Sequence, residues 1–240
     1  MTSADSPIRD RPHWTTQGLR LGVTSVVPVM PGMFAFAVAV GATSARKGIS
    51  LADTVLMNLS VFAGASQLVA LEAWPDRISL AALAALALIT ATVNARMLLM
   101  GASLQPWLGS LPAWQTYPVL HLITDPGWLV AMRYRAEGGS DAAVLLGGSL
   151  ALWFGWNASA VAGFLLGSQI ADPRAIGLDL VMPIFFGSML VPLWRGSRRA
   201  LAWIVAGAVA LVTQQLVAGW WFVVTGAIAG AVVEGWRNAE

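Results

Sequence analysis

Residues 58–72, NLSVFAGASQLVALE, place two amides, two hydroxyls and a terminal carboxylate in an otherwise apolar run. On a helix, at 100° per residue, Ser60, Gly64 and Gln67 fall within about 60° of one another. Asn58 and Ser66 point to other sides. A helix over 51–72 then carries a narrow polar stripe with a glycine gap in its middle. Two readings fit. In one, Gly64 and the serines let helices approach and Gln67 bonds a neighbour, as small and polar residues do inside a bilayer. In the other, the stripe faces a cavity and Gln67 touches a substrate. Glu72, close to Asp76 and Arg77, belongs at the headgroups.

The rest of the chain fits a bilayer. Of its 240 residues 57% are hydrophobic and 11% charged, against about 25% charged in soluble proteins, and the mean hydropathy is +0.69. Several apolar runs exceed the roughly 18–20 residues that cross a hydrocarbon core. The expected fold is an all-α, polytopic integral membrane protein. It has an N-terminal cytoplasmic segment (1–19), one transmembrane domain (20–236) and a short cytoplasmic tail (237–240). Residues 1–19 are polar and the first apolar stretch is too long and proline-rich for a cleavable signal.

Composition also narrows the chemistry. The chain has no cysteine, so disulfides and thiolate metal sites are excluded. His13 and His121 share no local motif with a carboxylate. The single lysine, Lys47, lies in GATSARKG, where a phosphate loop needs glycine at Arg46. No metal, cofactor or enzymatic activity is implied. The net charge of +2 comes with basic residues in short groups between apolar runs, a topology signal with no nucleic-acid partner behind it.

Apolar segments lie near 20–45, 51–72, 78–103, 115–133, 142–170, 176–194, 199–216 and 218–236. As one helix, 199–236 would be about 57 Å long, so it must break, and Thr213-Gln214-Gln215 before Gly219 is the natural place. With the N-terminus cytoplasmic, the inner segments hold Arg9, Arg11, Arg20, Arg77, Arg133, Arg135, Arg195, Arg198, Arg199 and Arg237. The outer ones hold Arg46, Lys47 and Arg174, in agreement with the positive-inside rule. Eight spans with both ends inside is the expectation; seven, or one re-entrant segment, is the alternative. VFAGAS (61–66) and IFFGSM (184–189) share a weak pattern that does not establish an internal repeat.

Irregular spans and intramembrane polar groups mark the candidate site. VVPVMPGMF places Pro28, Pro31 and Gly32 just before Phe34. Each proline removes a backbone donor and clashes with the preceding turn. The outcome is a plain kink or a broken helix whose freed backbone lines a cavity. The fifth segment has a second, weaker candidate break at Gly147-Gly148 and at GWN (155–157). TATVNARMLLM puts Thr90 and Asn94 one turn apart, followed by Arg96. That guanidinium either snorkels from the outer end of its span or turns inward to a carboxylate. HLITDPGWL supplies one in Asp125. It is protonated, paired with Arg96 or hydrated in a cavity, and with Pro126-Gly127 it also suits the cap of a half-helix. Most tryptophans cluster at segment ends as interfacial anchors.

VFAGASQ (61–67), Asn94-x-Arg96 with its Met/Leu run and Ser103-Leu104, and ITD (123–125) together resemble the AzlC family. The Gly48-Ile49-Ser50 loop and the two short terminal spans fit as well, and the likeness covers about 18–236. The resemblance implies the large subunit of a branched-chain amino-acid exporter in a bacterial inner membrane, working with a small AzlD-like membrane subunit of about four spans. It assigns the family's polar positions to Gly64, Ser66, Gln67, Asn94, Arg96 and Asp125. Pro126 stands where family members commonly carry a second acidic residue, which sets aside any role for an acidic pair.

The expected mechanism is export of apolar amino acids as zwitterions. Half-helix amides serve the carboxylate, and carbonyls near Pro28–Gly32 or the Asp125 carboxylate serve the ammonium. Gln67 and Asn94 suit either group, Ser60 and Ser66 border the site, and Phe34, Phe36, Phe62 or a methionine meets the aliphatic side chain. With no nucleotide motif, the energy comes from an ion gradient, most simply protons carried by Asp125. A passive channel, insensitive to a protonophore, and a structural subunit, inactive even with its partner, are the alternatives.

Overall fold

The computed structural model describes residues 12–75, 77, 79–167, 200–217 and 221–238, with scattered positions between 177 and 196. The sixth expected segment and most of IFFGSM lie outside the described residues. The chain is an all-α integral membrane protein with ten described helices. They are α1 (Thr16–Val26), α2 (Met30–Arg46), α3 (Leu51–Ser60), α4 (Gly64–Glu72), α5 (Leu80–Leu108), α6 (Ala113–His121), α7 (Asp125–Ala136), α8 (Ala143–Gly167), α9 (Ala200–Leu216) and α10 (Trp221–Asn238). Among the described residues, three stretches are long and apolar enough to cross a membrane, namely Thr16–Arg46, Leu80–Leu108 and Ala143–Gly167.

Hydroxyl caps start four of the helices. Thr15, Ser50, Ser79 and Thr124 each accept a backbone N–H from the first turn of α1, α3, α5 and α7, satisfying a donor the helix leaves open. Glycines in the left-handed region, Gly48 (φ 73°) and Gly138 (φ 93°), follow the ends of α2 and α7, where a side chain would be strained.

The breaks differ from expectation. At Pro28 the chain passes through one 3-10 turn, Val27–Val29, and continues directly into α2. It is a plain kink, because the tighter turn absorbs the missing proline donor. α8 runs unbroken through Gly147-Gly148 and Gly155-Trp156-Asn157. The expected helix over 51–72 is the one that breaks, at residues 61–63, where Val61 (φ −131°) and Ala63 (φ −146°) leave the helical region. Ser60 and Gln67 therefore sit on different half-helices, and the continuous stripe does not form. A matching break at 122–124 separates α6 from α7. Here Pro126 cannot donate to the carbonyl of Leu122, and Thr124 takes an extended conformation (φ −136°) as the cap.

Element order now shows a repetition that residue matching missed. A long helix (α1–α2) precedes a broken one (α3/α4), and a long helix (α5) again precedes a broken one (α6/α7). VFAG (61–64) thereby corresponds to LITD (122–125). Against these, α1–α2 and α8 pack in parallel through glycines. A Cβ on Gly22 would overlap the Val144 carbonyl, one on Gly41 the Ala160 carbonyl, one on Gly147 the Leu19 carbonyl and one on Gly163 the Val38 carbonyl. Absent side chains bring backbone to backbone, which drives helix association where no hydrophobic effect acts between helices. The glycine pair in α8 is thus a packing seam.

At the start of the seam a buried carboxylate ties two helices together. Asp141 accepts from the Thr15 hydroxyl, from Thr15 N (3.3 Å) and from Ala143 N (2.9 Å). Gly18 leaves room for it, since a Cβ there would strike the carboxylate. One apolar cluster then joins α2, the 61–63 break, α4 and α8 around Phe36, Phe62, Leu71, Leu152 and Trp156. A second joins α5, α6 and α7 around Leu104, Trp107, Leu108, Val119 and Ile123.

Candidate functional site at the two helix breaks

Both breaks open onto one small pocket. It is lined by Phe62, Ala63, Gly64 and Ala65 from the first break, Thr124, Asp125 and Pro126 from the second, Arg96 and Met97 from α5, and Met33, Phe36 and Trp156 from the packed core. His121 at the end of α6 lies 3.4 Å from the Leu59 carbonyl near the end of α3, so the two interruptions are neighbours in space.

The pocket has a charged side. Arg96 grips Asp125 through two bonds, Nε to Oδ1 at 2.9 Å and Nη2 to Oδ2 at 3.0 Å, and donates to the Val93 carbonyl at 3.1 Å. The side chains are 31% and 22% exposed. Arg96 sits near the middle of α5 because that helix runs on to Leu108, so snorkelling from a span end does not describe it. Fork-on-carboxylate geometry is the strong form of such a pair.

The two half-helices that start here are electrostatically unequal. Each N-terminus presents unpaired N–H groups and about half a positive charge. At α7, Thr124 caps and Asp125 brings its own anion into the first turn. At α4, Ala63 offers no side-chain cap and the first turn holds no acid. Gly64 stands where the repeat places Asp125. The pocket thus combines two positive helix ends and a guanidinium with a single carboxylate, an arrangement that favours a further anion at α4.

Its other side is apolar. Trp156 is 1% exposed and meets Phe36 and Phe62 edge-on, with centroids 5.5 and 6.0 Å apart. Its indole lies so close to Gly64 that a Cβ there would overlap the ring. About 20 Å³ remains between these walls, space for about one water and far below the roughly 300–1,000 Å³ of ligand clefts. As it stands the pocket is too small for an amino acid.

Beside it, Trp156 Nε1 donates to Asn58 Oδ1 (3.3 Å), and Gln67 Nε2 donates to the same oxygen (2.7 Å). Indole N–H can only donate, so the Asn58 oxygen must face it, and the orientation of both amides follows.

The candidate residues fall into two groups. Gly64, Arg96 and Asp125 line the pocket, and Gln67 lies one turn behind Gly64. Ser66 is buried, with its hydroxyl bonded to the Ala63 carbonyl at 2.9 Å. Asn94 lies half-buried on α5, its buried amide oxygen without a partner. Pro28, Pro31 and Gly32 sit on the exposed side of the kink, and α2 contributes Met33 and Phe36 to the lining instead. Phe34 packs on Gly155. Ser60 is exposed and bonds the Leu56 carbonyl of its own helix at 2.5 Å. Asn58 points away from Gln67 only on an unbroken helix; across the break the two amides meet. Trp156, read from the sequence only as part of a candidate break, is a wall of the pocket, and a tryptophan in the middle of an apolar run, away from the interfacial ones, is the signal for it.

No curated protein and no solved structure matches the chain. The family model described as AzlC protein matches residues 28–170, more than half of the chain and all of both broken helices. With that coverage over every pocket-lining element, the chain belongs to the AzlC family, a transporter-type membrane family connected with branched-chain amino acids.

Proposed function

We propose that the protein exports branched-chain amino acids from the cytoplasm across the bacterial inner membrane. It acts as the large subunit of a secondary transporter with a small, four-span AzlD-like partner, and both of its own ends are cytoplasmic. The observation that carries this reading is the amphiphilic pocket at the two breaks. Its charged side, with the open N-terminus of α4 and the Arg96–Asp125 pair, suits an amino-acid headgroup. Its Met33, Phe36, Phe62 and Trp156 side suits an aliphatic side chain. A zwitterion entering there sets its carboxylate toward α4 and Arg96 and its ammonium toward Asp125, and so competes with the internal ion pair. At about 20 Å³ the pocket must widen to admit it, as a transporter that alternates between states would allow.

Without nucleotide chemistry, an ion gradient drives the cycle. Protons are the simplest choice, with Asp125 as carrier when Arg96 is drawn to the substrate. The test is efflux from cells or vesicles loaded with leucine or valine, containing the chain and its partner. Wild type exports both, a protonophore stops accumulation against a gradient, and Asp125→Asn exports at a small fraction of the wild-type rate. Undiminished export by Asp125→Asn removes the coupling role. Absence of export for every apolar amino acid removes the function.

A further inference from the structure

The buried amides beside the pocket are only half used. Asn58 is fully buried and Gln67 is 3% exposed. Asn58 Oδ1 accepts twice, from Gln67 Nε2 and Trp156 Nε1, while Asn58 Nδ2 and Gln67 Oε1 have no partner. Rotating either amide does not help, because it sets like groups against each other or turns a donor toward the indole N–H. A buried polar group without a partner costs about 1–3 kcal/mol, so this pair is held in reserve for something polar. Its surroundings say where. The indole that donates to Asn58 is the one that presses on Gly64, and Gln67 lies one turn from Gly64 on α4. The Asn58 amide and the uncapped N-terminus of α4 therefore meet the same indole, and the Gln67 amide is bonded to Asn58.

We propose that Asn58 and Gln67 form the headgroup subsite for an α-amino acid, with Asn58 Nδ2–H donating to the carboxylate beside the α4 amides and Gln67 Oε1 accepting from the ammonium. This deepens the reading of the pocket as an amino-acid site and rests on it. One free donor and one free acceptor, adjacent and oppositely polarised, match a zwitterion better than a simple anion or cation, each of which would use one and leave the other unmet. Trp156 links this subsite to the side-chain wall, since filling the subsite draws on the amide that holds the indole in place.

The experiment measures binding of L-leucine to the purified full-length chain with its partner. Two competitors carry the same side chain: 3-methylbutylamine, which lacks the carboxylate, and 4-methylpentanoate, which lacks the ammonium. Asn58→Asp replaces the donor by a negative acceptor facing the carboxylate. Leucine and 4-methylpentanoate should weaken by about 10- to 100-fold, while 3-methylbutylamine binds as well as to wild type or better. Gln67→Met should weaken leucine and 3-methylbutylamine and spare 4-methylpentanoate. A merely structural role lowers all three affinities by the same factor, so the ratios decide even where a variant is less stable. Equal ratios, or unchanged leucine binding in both variants, overturn the subsite and leave the pocket reading standing. Failure of wild type to bind leucine overturns the subsite together with the pocket reading.

Discussion

Removing both members of the Arg96–Asp125 pair should cost less than the two single losses added together. Two bonds of 2.9 and 3.0 Å put the charge centres about 4 Å apart, where attraction is about 1 kcal/mol in water and about 4 kcal/mol at an effective dielectric of 20. Exposures of 31% and 22% place the pair between these limits, at a coupling of about 2–3 kcal/mol. Asp125→Asn leaves a half-buried guanidinium with its carboxylate gone, and a lone arginine at a helix centre is itself disfavoured by about 2.5–3.5 kcal/mol. Arg96→Gln strands the carboxylate in the same way. The assay is reversible unfolding in mixed micelles, read by tryptophan fluorescence, for both single variants and the double. Each single variant should lose about 2–4 kcal/mol, and the double should lose less than their sum by about 2–3 kcal/mol. Losses that add to within about 0.5 kcal/mol would show that the two groups are energetically independent and would refute the reasoning.

Other outcomes follow from packing. Gly64→Ala should abolish leucine efflux by forcing a methyl into the Trp156 ring, and Gly64→Ala with Trp156→Phe should restore part of it, because the smaller ring vacates that space. Gly41→Val should lose at least about 3 kcal/mol or fail to accumulate, since the overlap is with the Ala160 carbonyl and no rotamer relieves it. Gly101→Ala, with open space at its Cβ, should be neutral or gain up to about 1 kcal/mol in the same unfolding assay. Asp141→Ala should lower stability by about 2–3 kcal/mol by freeing the Thr15 and Ala143 amides from their charged acceptor, and Asp141→Asn, which keeps an acceptor oxygen, should lose less.

Much of this molecule is set by composition and local pattern. Long apolar runs, few charges and arginines grouped between runs determine an all-α membrane protein, because lipid offers the backbone no other hydrogen-bond partners. The break before α7 is legible in Asp125-Pro126-Gly127, since a proline without a donor and a threonine cap act locally. So is the candidacy of Arg96 and Asp125, because intramembrane charges need partners wherever they lie. Only tertiary structure decided the rest. Nothing in Val61-Phe62-Ala63 forbids a helix; the break there goes with Phe62 turning against Trp156 of a distant helix, and that contact lies nearly a hundred positions away in the chain. The same break moved Ser60 out of the site and brought Asn58 into it. Pro28 and Pro31, the strongest local breakers, produced only a kink, because a single 3-10 turn accommodates them while α2 stays packed on α8. A proline states what a turn cannot donate, but the packing partner decides whether the chain bends or parts.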